Sequence, residues 1–286
     1  MISAWNPAPL VVAGAGLALV LFAGAFVRLR RRGRRDHAGW SRAVLFSCAV
    51  AVGMLALVSP LDELGESYLL SGHMLQHVLI GDVAPALALV ALRGPLVFFV
   101  LPRRVLLAVA RLRRVLGFLL RPRVALAAWA TVFAAWHVPA AYDYALEHET
   151  VHDLEHLSFI VAGLLVWTQL VDPARRHELG LEGRLRYACT LFGFASALGA
   201  VLVFAPPLYP AYSGAFGISS LLDQELAGLV MIGEQLASLG VCAAFLVSAG
   251  RCTAAADAMS IRPSSQKTEE TPTPPATRPA SAGAAT

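Results

Sequence analysis

Residues 69–92 read LLSGHMLQHVLIGDVAPALALVAL, a run with no Lys or Arg that carries His73, His77 and Asp82 among apolar side chains. A bilayer core takes about 20 such residues as one helix, because only a helix satisfies its own backbone N–H and C=O groups away from water. His73 and His77 are four residues apart and therefore share one helix face, separated by a single turn. Polar groups at that depth cost free energy, so each marks either a contact between helices or a functional site.

The run has company. Further apolar stretches occupy residues 9–27, 42–58, 123–138, 153–171, 187–204 and 222–249, joined by short loops. With 57% hydrophobic and 15% charged residues over 286 positions, the chain carries too little polar material to solvate a globule of its size. These features predict an all-α, polytopic membrane protein of about seven transmembrane helices, held in one membrane domain over residues 1–252. The fourth span is the shortest, set between Pro122, which suits a helix start, and Pro139, which suits a stop. Residues 103–121 place Arg103, Arg104, Arg111, Arg113 and Arg114 among Val, Leu and Phe, a pattern for an interfacial amphipathic helix rather than a span. From Thr253 onward Ala, Thr, Pro and Ser dominate, which predicts a disordered cytoplasmic tail over 253–286. The first ten residues hold no Lys or Arg and no cleavage site follows, so the first run reads as a retained helix.

All 23 Lys and Arg fall in residues 28–42, 93–123, 175–186 and the C-terminal stretch from Arg251, while the alternate loops hold none. Basic residues are retained on the cytoplasmic side during insertion, so this asymmetry predicts an outer N-terminus and a cytoplasmic C-terminus. It also explains the net charge of +4 without a nucleic-acid partner, since these arginines border the bilayer. Cys48, Cys189, Cys242 and Cys252 form no C-x-x-C pair and fall in spans or on the predicted inner side, which argues against a disulfide framework.

On this topology His73, His77, His137, His148, His152 and His156 gather at the outer boundary, and only His37 and His177 lie inside. Imidazole is the commonest metal ligand, so an outer cluster points to metal. His148, His152 and His156 would form one continuous stripe if the segment were helical throughout; the alternative is a solvated, acidic helix N-terminus. Imidazoles with thioether help from Met74, Met54 or Met231 suit copper, although methionines at such positions are more often core filler. Asp62 sits in an acidic outer loop that either attracts cations or merely lacks basic residues. Asp82 and Glu234 lie inside spans, where they hydrogen-bond between helices or line an ion path. No nucleophile with an adjacent base and no nucleotide-binding loop is present, so the chain does not read as an enzyme.

Taken together, His73-x-x-x-His77 with Ala84-Pro85 and Gly94-Pro95, Trp136-His137-x-Pro139 with Tyr142-Asp143, His152-x-x-x-His156 with Gly163 and Trp167, and Asp223-Gln224 with Ala227-Gly228 and Met231 resemble the cytochrome c oxidase assembly factor of the Gram-positive CtaG type. Ser59-Pro60-Leu61-Asp62 fits as well. The likeness runs in the family's order from Ser59 to Met231, and it is distinct from the single-span, cysteine-bearing copper chaperone that shares the CtaG name. The resemblance implies a multi-pass protein of the bacterial cell membrane that helps make an active caa-type oxidase, with oxidase subunits or a copper chaperone as partners beside the lipid bilayer. By position it carries over His73, His77, His137, His152 and His156 as the functional set, with His148, Met74 and Met231 as lesser candidates and Asp62, Asp82, Asp143, Asp223 and Glu234 as further functional positions. Copper is the expected ion on chemical grounds. A haem-binding electron carrier with two axial histidines, or a transporter using Asp82 and Glu234, are the competing readings.

Overall fold

In a computed structural model, Trp5 and residues 8–260 are described, with side chains through Arg251. The protein is 81% helical, without strands among the described residues. Among the described residues six helices are long and apolar enough to cross a membrane, or seven if one bent pair is counted as a single span.

The spans are α1 (Pro9–Arg31), α2 (Trp40–Val58) and α4 (Leu70–Ala91), with the short α3 (Pro60–Ser67) between the last two. After a single turn at Leu96–Phe99 come α5 (Arg103–Arg111) and α6 (Arg113–Leu119), then α7 (Pro122–Trp136) and α8 (Pro139–Glu147). The chain continues through α9 (Glu149–Val171), α10 (Leu181–Phe204) and α11 (Ser220–Ser260). At 15 residues α7 is too short to cross alone, and α6 meets it at 71° across a brief break. The stretch expected as one interfacial helix is thus two, parted at Leu112, and its arginines are exposed. The last helix runs to Ser260, so the first positions of the expected tail continue it; residues 261–286 lie outside the described residues.

Many large apolar side chains face outward, among them Leu10, Phe204 and Phe245, as a lipid-facing surface requires. Inside, one core cluster joins α4, α7, α9, α10 and α11 through Leu70, Met74, Trp129, Phe159, Leu202 and Met231. A smaller one pairs α1 with α2, where Phe22 stacks on Phe46 at 4.3 Å between ring centroids.

One local irregularity positions everything that follows. Pro85 has no N–H to return to the Gly81 carbonyl and its ring crowds that oxygen, and α4 absorbs the conflict as a π turn over Leu79–Val83. The freed Gly81 oxygen meets α9 at Gly163, where an added Cβ would stand 1.8 Å from it. Only glycine permits this approach, and it brings the histidine-bearing ends of α4 and α9 into contact. A second close approach seats α3 on the start of α4: a Cβ on Gly65 would lie 2.9 Å from the backbone of His73.

Asp223, expected as a functional position, proves to be a helix cap. Its carboxylate accepts hydrogen bonds from Leu70 N (2.7 Å), Ser71 N (3.0 Å) and Ser71 Oγ (2.6 Å), satisfying the exposed N–H groups at the start of α4. Gln224 next to it donates to the carbonyls of Leu202, Ala205 and Pro206 and accepts from Leu208 N, fixing the loop that carries Tyr209 and Tyr212.

Candidate metal centre

Across the α4–α9 contact, His73 and His77 face His152, Glu155 and His156, and all five are buried. The Nε2 atoms of His73 and His77 are 2.8 Å apart. Ring centroids stand 5.2 Å apart for His73–His152, 5.4 Å for His77–His156 and 4.2 Å for His152–His156. One ligand atom from each of His73, His152 and His156 lies within 4.8 Å of the other two, and the same holds for His73, His77 and Glu155. The i, i+4 spacing on both helices therefore does what helix geometry promised.

Hydrogen-bond partners decide which nitrogens carry protons. Tyr212 has one hydroxyl proton, and its oxygen lies 2.7 Å from the Gly65 carbonyl, which can only accept. The same oxygen must then accept from Tyr142 (2.9 Å) and from His73 Nδ1 (3.2 Å). Burial, chiefly, pushes both phenols above their usual range, so they hold their protons. With its proton on Nδ1, His73 presents a bare Nε2. His152 Nδ1 stands 3.0 Å from Glu66 Oε1 and His137 Nδ1 stands 2.7 Å from the Phe133 carbonyl, so each donates there and leaves Nε2 bare. An imidazole oriented through one nitrogen so that the other offers its lone pair is the arrangement metal sites use.

Five of the twelve buried side-chain nitrogen and oxygen atoms without a hydrogen-bond partner among the described residues belong to this group: His77 Nδ1, His152 Nε2, His156 Nε2 and both oxygens of Glu155. Buried polar groups are normally paired and cost about 1–3 kcal/mol each when they are not. These five atoms are concentrated at one place, where α4 and α9 meet. Glu155 is the sharpest case, fully buried with its Oε1 3.6 Å from His77 Nε2.

His137, at the end of α7, stands apart from both triads. It lines a cavity of ≈ 20 Å³ together with His77, Met74 and Met231, which reaches Asp82 and Gln235 at its other end. Asp82 accepts from Trp167 Nε1 at 2.5 Å and from Gln235 Nε2, whose amide also reaches Glu234 Oε2 at 3.1 Å. The two intramembrane acids are thus gathered around one amide.

Not every expected residue joins the site. His148 is the extended residue before α9, exposed and stacked on Tyr144 at 4.0 Å. The stripe of three imidazoles is broken because the chain reverses between α8 and α9, so the helix begins only at Glu149. Met54 is partly buried on α2 and does not line the cavity. Asp143 lies on α8 with Oδ1 unpartnered. Asp62 accepts from Gln76 Nε2 at 2.6 Å, and burial together with the neighbouring Glu66 raises it to about 6. Cys48, Cys189 and Cys242 are free.

Sequence reasoning missed Glu155, Glu66 and Tyr212. Glu155 had a signal, an acid inside a span three residues after His152 and so on its face. Tyr212 had none, lying in a loop 139 residues from its partner His73.

The family model described as cytochrome c oxidase caa3 assembly factor matches residues 20–251. No curated protein and no solved structure matches this chain.

Proposed function

This chain belongs to the cytochrome c oxidase caa3 assembly factor family, and from that premise we propose that it carries copper on its buried histidine cluster for the maturation of the oxidase. Membership makes it a multi-pass protein of the cell membrane with a part in oxidase assembly. The copper reading is ours. The observation that carries it is the set of imidazoles held through Nδ1 with a bare Nε2 directed into a buried cluster poor in hydrogen-bond partners.

The residues fit the ion. Three imidazoles, His73, His152 and His156, supply nitrogen ligands of the kind copper prefers when they are unprotonated. Two nitrogens about 2.0–2.1 Å from one tetrahedral ion stand about 3.3 Å apart, so the ligand atoms of this trio need only small rotations to close on it. Glu155 would offset the positive charge in surroundings of low dielectric constant. Copper is cargo here: the histidines take it at the end facing away from the arginine-rich loops and release it by ligand exchange. Capture weakens as pH falls through the histidine range, because a protonated imidazole has no lone pair. Partners on this reading are oxidase subunits or a copper chaperone at the outer face.

Haem fits less well. A macrocycle between two axial histidines needs a slot between facing rings, and these rings are packed at 4.2 to 5.4 Å centroid separations.

The test is bound copper per purified protein after loading and washing, for wild type and a His77→Ala/His152→Ala variant. Retention by wild type and loss by the variant supports the reading. No retention by wild type sinks it.

A further inference from the structure

The proton chain that begins at Tyr212 does not end at His73. His73 Nε2 is bare, and His77 Nε2 lies 2.8 Å from it. Two lone pairs do not face each other at that distance, so His77 carries its proton on Nε2 and donates it to His73. The remaining nitrogen, His77 Nδ1, is then a lone pair, and it is buried without a partner. His137 Nε2 is likewise bare, buried and unpartnered, because its Nδ1–H is given to Phe133 O. Both residues line the same cavity as the side chains of Met74 and Met231, each 1% exposed.

Two neutral imidazole nitrogens and two thioethers form a soft donor set, suited to copper(I) and poorly suited to hard cations. We propose that this cavity is a second metal position, specific for copper(I), with His77, His137, Met74 and Met231 as ligands, beneath the cluster of His73, His152 and His156. It rests on the copper reading above and deepens it into a two-position path.

His77 stands between the positions, one nitrogen on each. An ion moves inward by ligand exchange alone, with no change of oxidation state. When the upper ion occupies His73 Nε2, the His77 Nε2–H loses that acceptor and has Glu155 Oε1 3.6 Å away as its replacement. Both positions can therefore be filled together. The thioethers sort the cargo, since copper(II) prefers nitrogen and oxygen ligands and stops at the histidines.

The test uses the full chain in detergent, labelled with selenomethionine and loaded anaerobically with copper(I). Wild type is expected to retain two copper ions per chain and to show copper–selenium scattering in X-ray absorption. The Met74→Leu/Met231→Leu variant, which conserves volume, should retain one ion and lose the selenium signal. His152→Ala/His156→Ala should also retain one ion but keep that signal. Unchanged elution and unfolding profiles identify variants that remain folded. One ion in wild type, lost with His152 and His156, indifferent to the methionines and without selenium scattering, overturns the second position and leaves the histidine reading intact. A selenium signal that survives Met74→Leu/Met231→Leu overturns the ligand assignment. No copper in wild type overturns both readings.

Discussion

Replacing Tyr212 by Phe tests the proton logic of the site with almost no change in shape. The lost hydroxyl is the donor to Gly65 O at 2.7 Å and the acceptor from Tyr142 at 2.9 Å and from His73 Nδ1 at 3.2 Å. Each buried group left without a partner costs about 1–3 kcal/mol. Tyr142 can rotate its hydroxyl and recover part, so the expected loss is about 3–5 kcal/mol. Tyr142→Phe is the control: it removes one donor while Tyr212 keeps Gly65 and His73, and should cost about 1 kcal/mol. Unfolding by denaturing detergent in mixed micelles measures both. Tyr212→Phe also frees His73 to take the other tautomer, so copper affinity measured against a competing chelator should fall about 10–100-fold, with Tyr142→Phe much closer to wild type. Equal unfolding free energies for the two variants, with copper affinity unchanged in both, would refute the assignment of protons to Nδ1.

Three other outcomes follow from the geometry. Gly163→Ala places a Cβ 1.8 Å from Gly81 O, so α4 and α9 must part; a loss of about 3 kcal/mol or more, seen as a collapse in folded yield, is expected, while Gly24→Ala, with nothing within 4 Å of the new Cβ, should be silent. Asp223→Ala leaves Leu70 N, Ser71 N and Ser71 Oγ without their acceptor and should cost about 2–4 kcal/mol in the same unfolding assay. Asp62 is raised from 3.8 to about 6, first by burial and then by Glu66; a raised carboxyl stabilises at low pH and loses that contribution as pH climbs through about 6. The shift caps the effect at about 3 kcal/mol, and partial exposure reduces it to roughly 1–2, so wild type should lose stability relative to Asp62→Asn as pH rises from about 4 to about 6 and run parallel to it above that; parallel profiles across the whole range would count against it.

Where the sequence was legible, the signal was periodic or local. Apolar runs of bilayer length announced the spans, and the four-residue spacings of His73–His77 and His152–His156 announced two-imidazole faces. The stripe through His148 failed because spacing cannot reveal where a helix begins. Asp223 and Asp62 were visible as acids but not as a cap and a tether, since their partners lie 153 and 14 residues away. Tyr212 was invisible for the same reason: its role depends on Gln224 pinning a loop beside α4. The π turn was half legible, since Pro85 in a helical run predicts a disturbance without saying that Gly163 would receive the freed carbonyl.

The same distinction explains how the site holds together. Its ligand nitrogens come from short-range periodicity, but their readiness comes largely from long-range partners, Tyr212 for His73 and Glu66 for His152, with only the His73–His77 contact local. A fold that buries so many lone pairs without protein partners carries an energetic burden. Anything that binds the folded chain and not the unfolded one lowers that burden and stabilises in proportion to its concentration over its dissociation constant. On the copper reading proposed above, capture and folding stability are therefore two readings of one quantity. The α4–α9 contact, where Gly81 meets Gly163 backbone to backbone, is what holds the two histidine-bearing helices against each other.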